Sequence, residues 1–123
     1  MDAIDLDRLV RENDDFRREV ATAEHSQVVL MTIPVGEEIG EEVHDGIDQL
    51  LVFVEGQAEA VLERQSSRVR SGQAVLVPAG TRHNFVNAGD VPLRLYTVYA
   101  PPEHAPGTVH RTKAEADAAE HDR

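Results

Sequence analysis

Cysteine is absent from all 123 residues. That excludes disulfides, thiolate zinc sites and sulfur nucleophiles. Lysine is nearly absent: Lys113 stands alone among 12 basic residues, the rest being arginine. Positive charge is also outnumbered, and the net charge of −11 argues against nucleic acid or anionic membranes as partners, because phosphate surfaces demand Lys and Arg. No apolar run approaches the roughly 20 residues of a membrane span. The first residues, Met1-Asp2-Ala3-Ile4-Asp5, are acidic and lack the apolar core of a signal peptide. Repeats and low-complexity linkers are missing too. A single domain over residues 1–123 is expected, cytoplasmic and off the membrane, long enough to bury about two-thirds of its unfolded surface.

The chain then reads as short elements. Leu6, Leu9 and Val10 fall at helical spacing and predict a short opening helix. Residues 16–22 are ambiguous, since Phe16 and Val20 suit either a helix or a strand. From Gln27 the texture becomes β-branched and apolar, with strands expected over 27–33, 49–54, 58–62, 68–70, 74–77, 83–86 and 93–99. Turn signals every eight to twelve residues point to an antiparallel sandwich or barrel. Beyond Pro102 the chain is irregular through Gly107. Thr112 and Glu115 then have the spacing of a capping box before an Ala-rich helix, which needs docking to persist at this length.

The densest pattern is Gly72, five residues, Pro78-Ala79-Gly80-Thr81-Arg82-His83, three residues, Asn87. Upstream lie Gly36-Glu37-Glu38-Ile39-Gly40 and the stretch from Glu41 through Glu42, His44 and Gln49 to Gly56; the tail carries Tyr99-Ala100-Pro101-Pro102-Glu103-His104. On these residues, over about 16–109, the chain resembles a small single-domain cupin of the cupin 2 type, a group loosely labelled mannose-6-phosphate isomerase-like. The resemblance implies an all-β cupin barrel (a jelly roll, or double-stranded β-helix) with short helical segments at both ends. The barrel core would lie at about 16–100 and the tail at 101–123. It also makes residues 16–22 a strand and implies a homodimer joined at a sheet edge, the natural outlet for unpaired backbone at a barrel rim.

In that family the second motif's histidine, here His83, is a metal ligand pointing into the barrel. The first motif runs His-x-His, three or four residues, an acid, six residues and glycine. Counting back from Gly56 puts Gln49 at the acid, His44 at the second histidine and Glu42 at the first. The expected ligand set is therefore Glu42, His44, Gln49 and His83, which departs from the family pattern at Glu42 and Gln49. Residues 42 and 44, two apart on a strand, leave the same face about 7 Å apart. One carboxylate, two imidazoles and an amide oxygen suit a divalent ion such as Fe, Mn, Zn or Ni. Read without the surrounding motif, Glu-x-His is an ordinary solvated pair; its registration against Gln49, Gly56 and the complete second motif gives it weight.

Alternation makes Leu51, Phe53 and Phe85 pocket walls if Gln49 and His83 face inward, and leaves the facing of Met31, Tyr96 and Tyr99 open. Gly56 and Gly80 fit turns at positive φ, and Asn87 reads as a turn-capping residue. His25, His104, His110 and His121 read as solvated, with His104 the one placed to cross the barrel mouth. Three functions compete: a metal-dependent enzyme acting on a carbohydrate or oxygenated carbon acid, of isomerase or dioxygenase type; a non-catalytic module binding a small ligand; and a purely structural ion. No catalytic acid or base is identifiable, and the fold hosts many chemistries.

Overall fold

Leu6 and Leu9 turn toward the body of the protein on α1 (Leu6–Glu12), whose Val10 is fully buried. Nine strands follow: β1 (Arg17–Thr22), β2 (Gln27–Ile33), β3 (Asp48–Glu55), β4 (Gln57–Leu62), β5 (Gln65–Arg70), β6 (Ala74–Val77), β7 (His83–Asn87), β8 (Leu93–Ala100) and β9 (Val109–His110). A second helix, α2 (Lys113–His121), ends the description. The computed structural model describes residues 2–121.

The strands form a six-stranded sheet in the order β6-β3-β8-β2-β1-β9 and a three-stranded sheet in the order β5-β4-β7. All pairings are antiparallel. The two inner faces meet in one apolar core that includes Val29, Met31, Leu51, Phe53, Leu95 and Phe85. Phe53 from one sheet packs on Phe85 from the other, with ring centroids 5.6 Å apart. This is the expected jelly-roll layering, and the ambiguous stretch 16–22 is a strand from Arg17 onward, with Phe16 just before it.

Register fixes which side chains face the interior. Across the large sheet, Gln27, Tyr99 and Gln49 form one row, Val29, Thr97 and Leu51 the next, and Met31, Leu95 and Phe53 a third. Met31 and Tyr99 therefore line the interior. Tyr96, one residue out of phase, points outward and shares a crevice under α1 with Leu6 and Arg11.

Between β2 and β3, residues 34–47 make no regular strand. Two isolated bridges, Glu38 with Val86 and Glu42 with His83, tack this segment to β7. Between the bridges, the Ile39 N–H donates to the Phe85 carbonyl (2.9 Å) and the Gly40 N–H donates to the Asn84 side chain (2.9 Å). Gly56 closes the β3–β4 turn at φ +91, where an added Cβ would stand 3.0 Å from the Pro92 carbonyl oxygen. Gly80 also holds a positive φ, of +81. Asn87 is buried and staples a turn, its amide donating to the Ile33 and Val91 carbonyls while its oxygen accepts from Gly89 N–H.

The tail is more ordered than the sequence suggests. Thr112 accepts from the Glu115 N–H (3.1 Å), and the Glu115 carboxylate reaches back to the Arg111 N–H (2.8 Å). Ala116 is buried in the core cluster, which docks α2.

Candidate functional site

His83 opens β7 and is buried on the inner face. Its Nδ1 lies 2.8 Å from the Thr81 carbonyl oxygen. A carbonyl only accepts, so Nδ1 carries the hydrogen and Nε2 keeps its lone pair. The Gly80 turn that presents Thr81 is itself fastened by the Gly80 N–H donating to the His44 carbonyl (2.9 Å).

Glu42 and His44 come from the tacked segment. The Glu42 backbone exchanges two hydrogen bonds with His83 (2.9 and 3.0 Å). Val43 between them is exposed while His44 is buried, so the alternation expected of a strand survives without the ladder. His44 Nε2 lies 3.2 Å from Glu42 Oε2, yet it has no hydrogen-bond partner in aligned geometry. The His44 ring stands 5.4 Å from that of His83 and edge-on to Tyr99 at 5.8 Å.

Gln49 begins its inward row from β3. Its Nε2 donates to the buried Thr97 hydroxyl (2.9 Å), which pins the amide and leaves Oε1 buried without a partner. The structure thus brings Glu42, His44 and His83 side by side and turns Gln49 into the same interior. Among the described residues, no group of three or more His, Asp or Glu is placed to hold a metal ion.

Electrostatics ties the group together. Burial pushes the Glu42 carboxyl up, but His44 beside it and the charge of Arg17 outweigh that and hold it below its ordinary value. Burial pulls His44 down, but the carboxylates of Glu42 and Glu103 prevail and raise it. Tyr99 is pushed up, chiefly by burial, so its hydroxyl stays protonated.

The tail closes the mouth. Gln27 donates from Nε2 to the His104 carbonyl (2.6 Å) and accepts on Oε1 from the Glu103 and His104 N–H groups (3.2 and 3.0 Å). This brings Glu103 Oε2 to 3.7 Å from His44 Nδ1 and seats the His104 ring edge-on against Tyr99 at 5.2 Å. His104 is buried, and His110 is half-buried in β9; both depart from the solvated reading. His25 is exposed as expected, while the His121 side chain lies outside the described residues.

Sequence reasoning missed Arg17. It opens β1 and is buried, sharing a cavity of about 230 Å³ with Phe16, Glu42 and α2 residues. Its place in Phe-Arg-Arg-Glu reads as a solvated charge run, and only the register of β1 on Met31 reveals it as inward.

Two facing antiparallel sheets with a histidine-rich mouth define a cupin-type barrel. The sequence profile of the Cupin_2 family, described as "Cupin domain", matches residues 29–99, more than half of the chain; the chain belongs to this family. It is 42 % identical over 123 aligned residues to the uncharacterized protein YrkC of Bacillus subtilis, covering 95 % of this chain and 66 % of YrkC. To the uncharacterized protein L612 of Acanthamoeba polyphaga mimivirus it is 34 % identical over 101 residues, covering 79 % of this chain and 63 % of L612. The chain spans just under two-thirds of the length of both relatives. The crystal structure of BH2720 from Bacillus halodurans superposes with a TM-score of 0.94 at 42 % identity, covering 95 % of this chain and 93 % of that one. Among the described residues, no helix is long and apolar enough to cross a membrane.

Proposed function

We propose that the barrel mouth holds one divalent metal ion on Glu42, His44, Gln49 and His83, and that the ion serves a small enzyme acting on a carbohydrate or oxygenated carbon acid. The observation that carries this reading is Gln49 Oε1, a buried acceptor with no hydrogen-bond partner, in the same interior as His44 Nε2, whose neighbouring carboxylate oxygen, Glu42 Oε2 at 3.2 Å, is out of line for a hydrogen bond. A native interior rarely leaves such atoms unsatisfied without a reason. The spacing supports it as well: two donors at 2.0–2.2 Å from one ion, at right angles, stand about 3 Å apart, and Glu42 Oε2 and His44 Nε2 are separated by 3.2 Å.

The protein's own groups have distinct tasks in this reading. The Thr81 carbonyl fixes the His83 tautomer, and the Thr97 hydroxyl anchors the Gln49 side chain in the interior. Tyr99 offers a neutral hydroxyl donor, and the segment at Glu103 and His104 keeps bulk water from the mouth. When bound, the ion supplies Lewis-acid polarisation of a substrate oxygen or, if it is iron, the means for dioxygen chemistry.

A second reading, a pocket that binds a small ligand without turnover, draws support from the closed mouth, because retention favours sensing over rapid exchange. A homodimer fits the exposed Leu76 on the edge strand β6.

Elemental analysis of anaerobically purified protein, compared with Glu42→Ala and His83→Ala, tests the ion. The expected result is close to one transition-metal ion per chain in the parent and loss in both variants. Metal retained in both variants, or absent from a parent incubated with Mn, Fe, Zn and Ni salts, would sink the site.

A further inference from the structure

Arg17 is a buried cation whose protein partners, a hydrogen bond to the Tyr99 hydroxyl and the nearby charge of Glu42, leave one of its N–H groups over. Its row-mates Met31, Leu95 and Phe53 face the opposite sheet. The Arg17 side chain is 3 % exposed, and its Nε has no hydrogen-bond partner. The guanidinium carbon lies 5.3 Å from the centre of the Phe16 ring, so one flank of the cation rests on an aromatic face. Together with Glu42 it lines the cavity that α2 closes. Its charge reaches Glu42, His44 and Tyr99, all at the barrel mouth.

A buried guanidinium with an unused N–H is costly to maintain, and a planar fork of donors matches a carboxylate above other partners. Resting on the metal reading above, we infer that Arg17 binds the carboxylate of a small oxygenated organic acid, the acid's second oxygen facing Glu42, His44, Gln49 and His83. Arg17 thereby selects acids over neutral sugars. The Tyr99 hydroxyl lies within reach of the same charge and supplies a second donor.

The test pairs acids with their neutral amides: pyruvate with pyruvamide, and glycolate with glycolamide. Calorimetric titration of Mn²⁺-loaded protein is compared among the parent, Arg17→Met and Arg17→Lys, and Mn²⁺ affinity is measured separately by electron paramagnetic resonance. In the parent, at least one acid binds, about 10- to 100-fold more tightly than its amide, as expected for a buried charge-assisted hydrogen bond. Arg17→Met removes that preference with Mn²⁺ affinity kept within about three-fold, and Arg17→Lys, which keeps the charge and guards against misfolding of the first variant, restores part of it. An unchanged acid-to-amide ratio in Arg17→Met, or no acid binding to the folded parent, overturns the assignment. If Mn²⁺ fails to bind the parent, the metal reading falls. The same acids are then titrated by saturation-transfer NMR into metal-free protein, where Arg17-dependent binding upholds the carboxylate role and its absence ends it.

Discussion

The two halves of the candidate site are built differently. His83 sits on a regular strand, paired to Leu62 on β4, with its ring tautomer set by a backbone carbonyl one turn away. Glu42 and His44 sit on a segment with no ladder of its own, held to β7 by two isolated bridges and one hydrogen bond from the Gly40 N–H to the Asn84 side-chain oxygen. One half is positioned by the fold; the other is positioned by a few polar contacts and can move at modest cost. The difference matches the sequence in part. The half bearing His83 keeps the family's pattern in full; of the two departures, Glu42 lies on the tacked segment and Gln49 on the regular strand β3.

The proton on His44 separates the halves most strongly. Glu42, Glu103, Arg17 and His83 all act in this neighbourhood, and their balance raises His44 above 6.5 and lowers Glu42 below 4.5. The raised His44 contributes stability to the metal-free fold that is complete below 6.5 and fades as pH rises through its folded value. The lowered Glu42 contributes stability that is present above 4.5 and is lost as pH falls through its folded value. Because an ion needs His44 deprotonated, metal affinity should weaken about ten-fold per pH unit below the His44 value. Titrations with Mn²⁺ from pH 5 to 8 check this. In His44→Ala the residual affinity should lose that slope, and an undiminished slope would place the competing proton elsewhere.

Asn84→Ala probes the same contrast more gently. It removes the acceptor for the Gly40 N–H and leaves the His83 backbone pairing alone. The expected cost is about 1 kcal/mol of stability, with hydrogen exchange accelerated over residues 38–44 and unchanged over β7. Equal acceleration in both would mean that the halves are equally rigid.

Much of the architecture could be read from sequence because its signals are local. The stops at Pro34, Gly56, Pro78, Asn87 and Pro101 punctuate the strands, and the second motif states its turn and its histidine together. What was not legible depends on contacts distant in the chain. Gln27 grips the backbone of His104 across 77 residues, and nothing in the local pattern around either residue announces that pairing. Tyr96 and Tyr99 could be sorted only by the register of β8 on β2 and β3. Arg17 was hidden because a single inward arginine at the start of a short polar strand looks like surface. The candidate ligand positions come from counting back from Gly56, whereas the irregular backbone at 38–44, where the Gly40 N–H donates to a side chain, has no local signal.

The most direct measurement is a long-range ¹H–¹⁵N spectrum of the histidine rings during titration with substoichiometric Mn²⁺. Paramagnetic broadening falls steeply with distance, and exposed His25 is an internal control. The prediction is that the His44 and His83 ring signals vanish first and together, with His25 last. Broadening that begins at His25, or that leaves His44 and His83 untouched at one equivalent of Mn²⁺, would contradict a metal centre at the barrel mouth.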